Sequence, residues 1–236
     1  MNDVAVITGG TGSVGRTLLP MLIARGFRCG VTYLLPDEAA TLEEDIDIDE
    51  EDLILRRVDD SDATAVDKFM QEVFDTFGGI NVVVSLVGGW AGGRDVVETD
   101  DLRFERMIDL NLRSAFNTVR AAIPHLREAE WGRIILMGSK HGVYTPSGQA
   151  AYNIAKAGVI ALSHSVANEL SDTAVTSNVL LPSVIDTAAT RAALPYADYV
   201  NWPKPVEIAA VIDFLASPRS KVINGAAIPV TGNAVD

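Results

Sequence analysis

The sequence predicts a single α/β domain built on a doubly wound, mostly or fully parallel sheet of about seven strands. Apolar runs of strand length alternate with longer segments of helical period, as in repeated βαβ units. The 236 residues contain no repeat, linker or low-complexity tract, and 48% of them are hydrophobic. We therefore expect one core and one domain over residues 1–236.

The elements follow one another in βαβ order. Strands are predicted over Val4–Thr8, Arg28–Leu35, Leu53–Val58, Ile80–Val87, Arg133–Met137, Val175–Leu181 and Ala226–Val230. Helices are predicted over Val14–Arg25, Ala63–Phe77, Asp100–Ala129, Gln149–Leu170 and Val206–Ala216. Thr99 is expected to cap the long third helix, and Pro124 to introduce a kink or a local irregularity. The remaining segment, Ser183–Pro205, is expected to form a substrate lid.

Charge and cysteine content limit the partners and cofactors that the chain is expected to bind. A net charge of −13 opposes encounter with nucleic acid or an acidic membrane surface, so small molecules and copies of the chain itself are the expected partners. Cys29 is the single cysteine, and no Cys/His cluster predicts a metal site. The sequence shows neither a signal peptide nor an apolar stretch of spanning length, which favours a cytoplasmic protein. The acidic run Glu43–Asp52 is interpreted as a solvated surface.

A glycine-rich turn joins the first strand to the first helix. Residues 8–15 read Thr-Gly-Gly-Thr-Gly-Ser-Val-Gly. Glycines allow a positive φ and close backbone approach, and a helix N-terminus offers unpaired N–H groups to a phosphate. In this strand-turn-helix context the turn predicts a dinucleotide-binding site.

Tyr152 and Lys156 lie four residues apart on a predicted helix and therefore share one face. A phenol has an ordinary pKa of about 10, and a nearby ammonium favours its ionised form. The pair is therefore a candidate acid/base. A Tyr and a Lys at this spacing also occur on many helix surfaces, so the surrounding residues decide the interpretation.

Three further polar residues accompany the pair. Ser139 follows the preceding strand, where its hydroxyl could hold a substrate oxygen beside the phenol. Asn111 lies inside the long helix, which favours either a water-anchoring role or simple exposure. Asp59 ends the third strand and could accept a hydrogen bond from an adenine amino group; a strand-end turn is the alternative.

Together these ordered motifs resemble the short-chain dehydrogenase/reductase family along essentially the whole chain. The resemblance implies a Rossmann-type fold, NAD or NADP as cofactor, Tyr152 as proton donor, Ser139 as carbonyl orienter, and Asn111 and Lys156 in the proton relay. It also implies a homo-oligomer, a tetramer or a dimer. The residues implied in cofactor binding are Thr8, Gly9, Thr11, Gly12, Ser13, Val14, Gly15, Asp59, Gly88, Lys156, Pro182 and Thr187.

Two local features depart from the common family pattern. Residues 88–93, Gly-Gly-Trp-Ala-Gly-Gly, resemble the corresponding loop of quinoid dihydropteridine reductases, in which case Trp90 would stack on a flat heterocycle. The second predicted strand ends Thr32-Tyr33-Leu34-Leu35, without the acid expected for the adenosine ribose or the Arg expected for a 2′-phosphate. The choice between NAD and NADP therefore stays open.

The expected function is hydride transfer between the nicotinamide cofactor and a small carbonyl or alcohol substrate. A dihydropteridine reductase is one alternative, and a non-catalytic dinucleotide sensor is another from a different class. Residues that could border the substrate are Trp90, His141, Tyr144 and Trp202.

Overall fold

The computed structural model describes residues 3–45 and 51–233. Seven parallel strands form one sheet in the order β3-β2-β1-β4-β5-β6-β7. The strands are β1 Val4–Thr8, β2 Arg28–Tyr33, β3 Leu53–Arg57, β4 Val82–Ser85, β5 Gly132–Met137, β6 Val175–Pro182 and β7 Ala227–Val230. The predicted doubly wound Rossmann-type fold is confirmed. Strand order reverses between β1 and β4, and a ligand crevice is expected at that point of a parallel sheet.

Helices cover both faces of the sheet. They are α1 Ser13–Ala24, α2 Pro36–Asp45, α3 Ala63–Phe77, α4 Asp101–Ile108, α5 Ser114–Glu128, α6 Ala150–Glu169, α7 Ala188–Ala193 and α8 Pro205–Leu215. Apolar side chains of α3, α5 and α6 pack on one face, and those of α1 and α8 on the other. Because both faces are buried, the strands are almost continuously apolar.

The long helix predicted over Asp100–Ala129 is interrupted, although not where expected. Residues Asp109–Arg113 form a π-helical turn between α4 and α5, and Asn111 lies within it. Pro124 lies within α5, and the cap is Asp100, whose side chain accepts from the Arg103 N–H at 2.8 Å. The prediction for Thr99 is therefore wrong, whereas α5 continues through Pro124 and a kink there stays a prediction. Such π-turns within helices are frequent at functional sites.

Two predicted strands end earlier than their apolar runs. The strand predicted over Ile80–Val87 comprises residues 82–85, and the one predicted to Leu35 stops at Tyr33. The apolar residues beyond these ends leave the sheet for the crevice or the surface, so hydrophobicity alone does not mark the boundary.

The acidic run lies partly outside the described residues. Its first three residues close α2, a helix that the sequence did not predict, and residues 46–50 are not described. Within residues 3–45 and 51–233, no helix is long and apolar enough to cross a membrane.

Candidate active site

The glycine turn between β1 and α1 exposes backbone N–H groups that could bind an anionic group. Gly9 has a φ of +67°, and a Cβ atom there would come within 2.9 Å of Val87. At Gly12 a Cβ atom would meet nothing nearer than the Gly9 carbonyl at 3.5 Å. Gly12 precedes α1 without a side-chain cap, which leaves first-turn N–H groups for a ligand. The turn therefore fits a dinucleotide pyrophosphate.

A cavity of about 470 Å³ runs from this turn to the carboxyl ends of β5 and β6. It brings together most of the residues singled out from the sequence: Gly9, Gly12, Ser13, Val14, Gly15, Gly88, Trp90, Ser139, His141, Tyr152, Lys156, Pro182 and Thr187. The segment 183–205 forms the opposite wall, to which it contributes apolar Val184, Ile185 and Leu194 and polar Ser183, Thr187 and Thr190. The catalytic candidates on α6 therefore face a wall of mixed polarity.

Lys156 is fixed to the sheet at the base of this cavity. Its side chain is 3% exposed, and Nζ donates to the Met137 carbonyl at the end of β5 over 2.8 Å. A Cβ atom on Gly88 would lie 3.1 Å from the same Nζ, so the loop after β4 passes directly over the amine. Burial lowers the pKa of Lys156 from 10.5 to about 8. The amine can therefore gain or lose its proton close to neutral pH.

Tyr152 stands between Lys156 and Ser139. The Lys156 Nζ lies 5.9 Å from the centre of the Tyr152 ring, and the Ser139 hydroxyl hydrogen-bonds with the phenol. Ser139 is almost fully buried, and its Oγ accepts from the His141 N–H at 3.2 Å. Burial raises the pKa of Tyr152, and the hydrogen bond with Ser139 opposes that shift. Desolvation is the dominant influence on this pKa, and the implied role of Lys156 in lowering it stays a prediction.

Asn111 connects the π-helical turn to the loop after β4. Its Oδ1 accepts from the Gly89 N–H at 3.1 Å, and its Nδ2 donates to the Gly89 and Met107 carbonyls at 2.9 and 3.1 Å. The side chain is 1% exposed, so the alternative of simple solvent exposure is wrong. Asn111 holds in place the loop that covers Lys156, and its part in a proton relay stays a prediction.

Trp90 and His141 are joined through Gln149, a residue that the sequence did not single out. The Gln149 Oε1 accepts from the Trp90 indole N–H, and its Nε2 lies 2.9 Å from His141 Nδ1. The His141 ring stands nearly perpendicular to Tyr152, with 6.3 Å between ring centres. Gln149 comes immediately before α6, and that position beside Tyr152 is the one sequence signal that could have drawn attention to it.

Six predicted residues do not line the cavity, and Asn111, described above, is one of them. Thr8 is fully buried below the turn, and the Thr11 hydroxyl donates to Glu38 Oε2 at 2.9 Å. Asp59 accepts from the Ser61 N–H and hydroxyl at 2.9 and 2.7 Å, which is the strand-end turn considered as its alternative. Tyr144 is 72% exposed, and Trp202 packs near Tyr199 at 6.1 Å. The structure does not bring these last two to the cavity.

Sequence reasoning also missed the support beneath the glycine turn. The Thr32 hydroxyl accepts from the Gly9 N–H at 2.9 Å and donates to Asp60 at 3.0 Å. Asp60 is buried, and burial raises its pKa to about 7. The glycine turn is therefore held by two side chains beneath it, Thr32 on β2 and Asp60 after β3.

The parallel sheet, the glycine turn at its switch point, and a Ser–Tyr–Lys group on one cavity together define an oxidoreductase of the nicotinamide-binding α/β class. The chain belongs to the short-chain dehydrogenase family, whose model matches residues 3–196. It is accordingly an NAD(P)-dependent enzyme.

Similar proteins cover nearly the whole chain. The 3-oxoacyl-[acyl-carrier-protein] reductase MabA of Mycobacterium bovis is 33% identical, covering 96% of this chain and 90% of its own length. The 3-oxoacyl-[acyl-carrier-protein] reductase FabG of Staphylococcus aureus is 29% identical over 98% of both. A Brucella melitensis short-chain dehydrogenase/reductase, described as a glucose/ribitol dehydrogenase, superposes with a TM-score of 0.90 at 25% identity, covering 100% of this chain and 97% of its own.

Proposed function

We propose that the protein transfers a hydride between a nicotinamide cofactor and a small carbonyl or alcohol substrate, with Tyr152 as the general acid/base. One observation carries the proposal: Ser139, Tyr152 and Lys156 line the same cavity as the glycine turn. Nucleotide-binding backbone and a proton-exchanging phenol therefore border one space, as hydride transfer to a carbonyl requires.

Each side chain has a role that follows from its position. The cofactor would be held by the turn 9–15, the Gly88 backbone, Lys156 and Thr187, and it supplies the hydride when bound. The Ser139 hydroxyl holds the substrate oxygen, and the Tyr152 hydroxyl gives that oxygen a proton as the carbonyl becomes an alcohol. Lys156, with a pKa of about 8, is the group beside the phenol that can return a proton to it.

The substrate class that we favour is a 3-oxoacyl thioester. Two of the similar proteins are named 3-oxoacyl-[acyl-carrier-protein] reductases, and both cover more than nine-tenths of this chain. The apolar side chains of Val184, Ile185 and Leu194 in this wall would suit an acyl chain better than a sugar. A short acyl thioester is therefore the first substrate to test.

A dihydropterin is the second candidate, supported by the exposed face of Trp90 at the mouth of the same cavity. Trp90 is 57% exposed, and its indole N–H donates to Gln149. The indole ring is thereby held with a flat apolar face exposed. A Trp90→Ala variant would then lose the pterin far more than a simple ketone. Equal loss for both would remove this candidate.

The test is turnover by the purified protein on acetoacetyl thioesters, quinonoid dihydropterin and simple ketones, with NADH and with NADPH. Turnover that is lost in Tyr152→Phe while nucleotide binding persists supports the proposal. Nucleotide binding without turnover on any compound would instead favour a dinucleotide sensor, and binding of neither nucleotide would contradict the proposed site.

We also propose a cytoplasmic homo-oligomer, a dimer or a tetramer, as the family resemblance implies. Light scattering of the purified protein is the measurement. A strictly monomeric mass would contradict the proposed oligomer and leave the proposed hydride transfer unaffected.

A further inference from the structure

A second cavity of about 490 Å³ lies beside the reaction cavity, between the loop after β4, α4 and the start of α6. Three of the side chains that line it are arginines, Arg94, Arg103 and Arg106. The Arg94 backbone N–H donates to the Gly148 carbonyl at 3.1 Å, which holds the loop against the start of α6. Because the whole chain carries a net charge of −13, a cavity with three guanidinium groups contrasts with its general charge. We call this cavity the arginine pocket.

Asp100 offsets only part of the positive charge in the arginine pocket. It also lines the pocket, and its carboxylate accepts from the Arg103 backbone N–H at 2.8 Å and lies 3.8 Å from the Arg103 Nε. Within residues 3–45 and 51–233, neither Arg94 nor Arg106 forms a salt bridge. The guanidinium groups of these two arginines are therefore available to a ligand.

Three acidic residues of the same segment lie on other surfaces. Asp95 lines a separate groove, together with residues between 145 and 157. Glu105 lies 3.8 Å from the Arg113 side chain, and Asp109 pairs with the same arginine. These three carboxylates therefore do not occupy the two available guanidinium groups.

Gln149 connects the arginine pocket with the reaction cavity, since it lines both. It accepts from the Trp90 indole N–H, so the two side chains together form the boundary between the cavities. On the pocket side, a Cβ atom on Gly92 would come within 2.5 Å of the Trp90 ring, and the glycine allows the indole to lie there. Gln149 precedes Tyr152 by three residues, which is about 4.5 Å along a helix axis. A substrate whose carbonyl meets Tyr152 can therefore extend past Gln149 into the pocket.

The arginine pocket also offers backbone donors. Ala150 and Ala151, in the first turn of α6, line it, and Gln149 precedes the helix without a side-chain cap. First-turn N–H groups and the positive end of the helix dipole favour an anion. An arginine guanidinium adds a planar set of donors that matches carboxylate and phosphate oxygens. Charge and donors in the pocket therefore both suit an anionic ligand.

We propose that the arginine pocket binds an anionic group of the substrate, a carboxylate or a phosphate, while the carbonyl of the same molecule lies at Tyr152. Arg94 and Arg106 supply the charge, and the start of α6 supplies further donors. This inference rests on the proposed function, because it takes Tyr152 as the position of the reacting carbonyl. It adds to that function a substrate that carries a negative charge several bonds from the carbonyl.

Two kinds of substrate carry such a group. A phosphate is present in the phosphopantetheine part of an acyl thioester, and a carboxylate can end the carbon chain of an oxo acid. Both would bring negative charge to the same arginines. Two matched pairs of compounds separate them: acetoacetyl-phosphopantetheine against acetoacetyl-pantetheine, and 7-oxooctanoate against 7-oxooctanamide.

The experiment is steady-state turnover of both pairs by the whole protein with its preferred nucleotide, for the wild type and for the double variant Arg94→Gln/Arg106→Gln. In at least one pair, the wild type should have a kcat/KM at least about tenfold higher for the charged compound than for the neutral one. The double variant should bring that ratio to within about threefold, mainly through KM. A preference within the thioester pair identifies the phosphate, and a preference within the oxo-acid pair identifies the carboxylate.

Arg120→Gln is the matched control, since Arg120 is an exposed arginine that lies over the Phe116 ring on α5. It should leave the ratio of kcat/KM values as in the wild type. Raising the salt concentration from about 0.05 M to about 0.5 M should lower the ratio in the wild type and leave it nearly constant in the double variant, because added ions screen exposed charges. Circular dichroism of each variant checks that a changed ratio comes from a folded protein.

Three results would overturn the inference. They are equal kcat/KM values for the two members of both pairs in the wild type, an unchanged ratio in the double variant, and a loss in the double variant that is equal for charged and neutral compounds. Failure of the proposed function looks different, because it would appear either as no turnover of any of the four compounds or as turnover that survives Tyr152→Phe.

Discussion

The two walls of the cavity differ in how they are held. On the α6 side, Lys156 and Asn111 are almost fully buried and bonded to backbone of β5 and of the loop after β4. The opposite wall belongs to the segment 183–205, in which Arg191 pairs with Asp186 and stacks over Tyr199 at 4.2 Å. The wall on the α6 side is hydrogen-bonded to the sheet and its loops, whereas the Arg191 contacts of the opposite wall stay within the segment 183–205.

This difference separates chemistry from substrate choice. Proton transfer needs groups held at fixed distances, and buried hydrogen bonds to a sheet provide that constraint. A surface segment held by exposed contacts can change shape or sequence without moving those groups. We therefore expect variants of the α6 wall to affect every substrate alike, and variants of the segment 183–205 to affect substrates unequally.

The largest expected effect is that of Tyr152→Phe. The change removes the hydroxyl that exchanges a proton with the substrate oxygen and leaves the ring packing in place. Turnover should fall by about 10³-fold, within the range of general acid catalysis, while nucleotide affinity stays within about twofold. Steady-state kinetics and fluorescence titration measure the two. Tyr144→Phe, an exposed tyrosine outside the cavity, is the matched control.

Asn111→Ala is a second variant of the α6 wall, and it tests whether that wall affects catalysis through the loop over Lys156. It strips the Gly89 N–H and C=O of their partner, so the free energy of unfolding should fall by about 2 kcal/mol. Turnover should fall by about tenfold or more, because the loop over Lys156 is then free to move. Urea denaturation and kcat are the measurements.

Asn117→Ala is the matched control for that variant. Asn117 is also a buried helical asparagine, and its amide donates to the Asp60 and Ser61 carbonyls at 3.1 and 2.9 Å. It should cost comparable stability and leave kcat nearly unchanged. Equal losses of kcat in both variants would mean that Asn111 acts through general stability alone.

Asp60→Asn tests the support under the glycine turn. Burial raises the pKa of Asp60 from 3.8 to about 7, with Asp59 adding to the shift and Thr32 opposing it. The folded protein therefore holds this proton more tightly than the unfolded chain, so stability from this group is complete below pH 3.8 and is lost as pH rises through 7.

Between pH 5 and pH 8 this group should lower the free energy of unfolding by about 2 kcal/mol, and Asp60→Asn should remove most of that difference. Urea denaturation of both proteins at the two pH values is the measurement. Asp59→Asn, at an exposed carboxylate one residue away, should leave the pH dependence in place. A wild type and an Asp60→Asn variant with parallel pH profiles would contradict the buried proton.

The smallest expected effect is that of Arg191→Ala, on the opposite wall. It removes an ion pair with Asp186, joined at 2.5 and 2.8 Å, that also lowers the pKa of Asp186; the Arg191 side chain is half-exposed. Stability should change by less than about 1 kcal/mol. KM should rise by about threefold to tenfold, by different factors for different substrates, with kcat nearly unchanged.

Arg219→Ala is the control, since Arg219 is another exposed arginine over an aromatic ring and lies outside the segment 183–205. It should leave KM unchanged. A fall in kcat for Arg191→Ala that is equal on all substrates would contradict the division between the two walls.

Much of the fold could be predicted because the buried parallel strands are apolar on both faces and end in recognisable turns. The residues of the α6 wall could be predicted because Tyr152 and Lys156 lie on one helix and the glycine turn lies between one strand and one helix. The π-helical turn at Asn111 could not be predicted from the sequence, since its geometry depends on hydrogen bonds to Gly89, which is distant in sequence.

Residues that act through a contact distant in sequence were the ones missed. Glu38 meets Thr11 across 27 residues, Thr32 meets Asp60 across 28, and Trp90 meets Gln149 across 59. Thr11 and Trp90 belong to motifs that the sequence shows, but nothing local in the sequence marks their partners Glu38 and Gln149, or either member of the Thr32–Asp60 pair. Tyr144 and Trp202 failed for the opposite reason, because an aromatic residue near a motif in sequence need not face the cavity.

The central claim is that the Tyr152 phenol, on the α6 wall, performs the proton transfer for every substrate that the segment 183–205 allows to bind. The most direct measurement is kcat/KM of Tyr152→Phe relative to the wild type on every compound that the wild type turns over, with its preferred nucleotide. The account predicts a loss of about three orders of magnitude that is the same for all of them. A substrate that retains near-wild-type kcat/KM in the variant would contradict it.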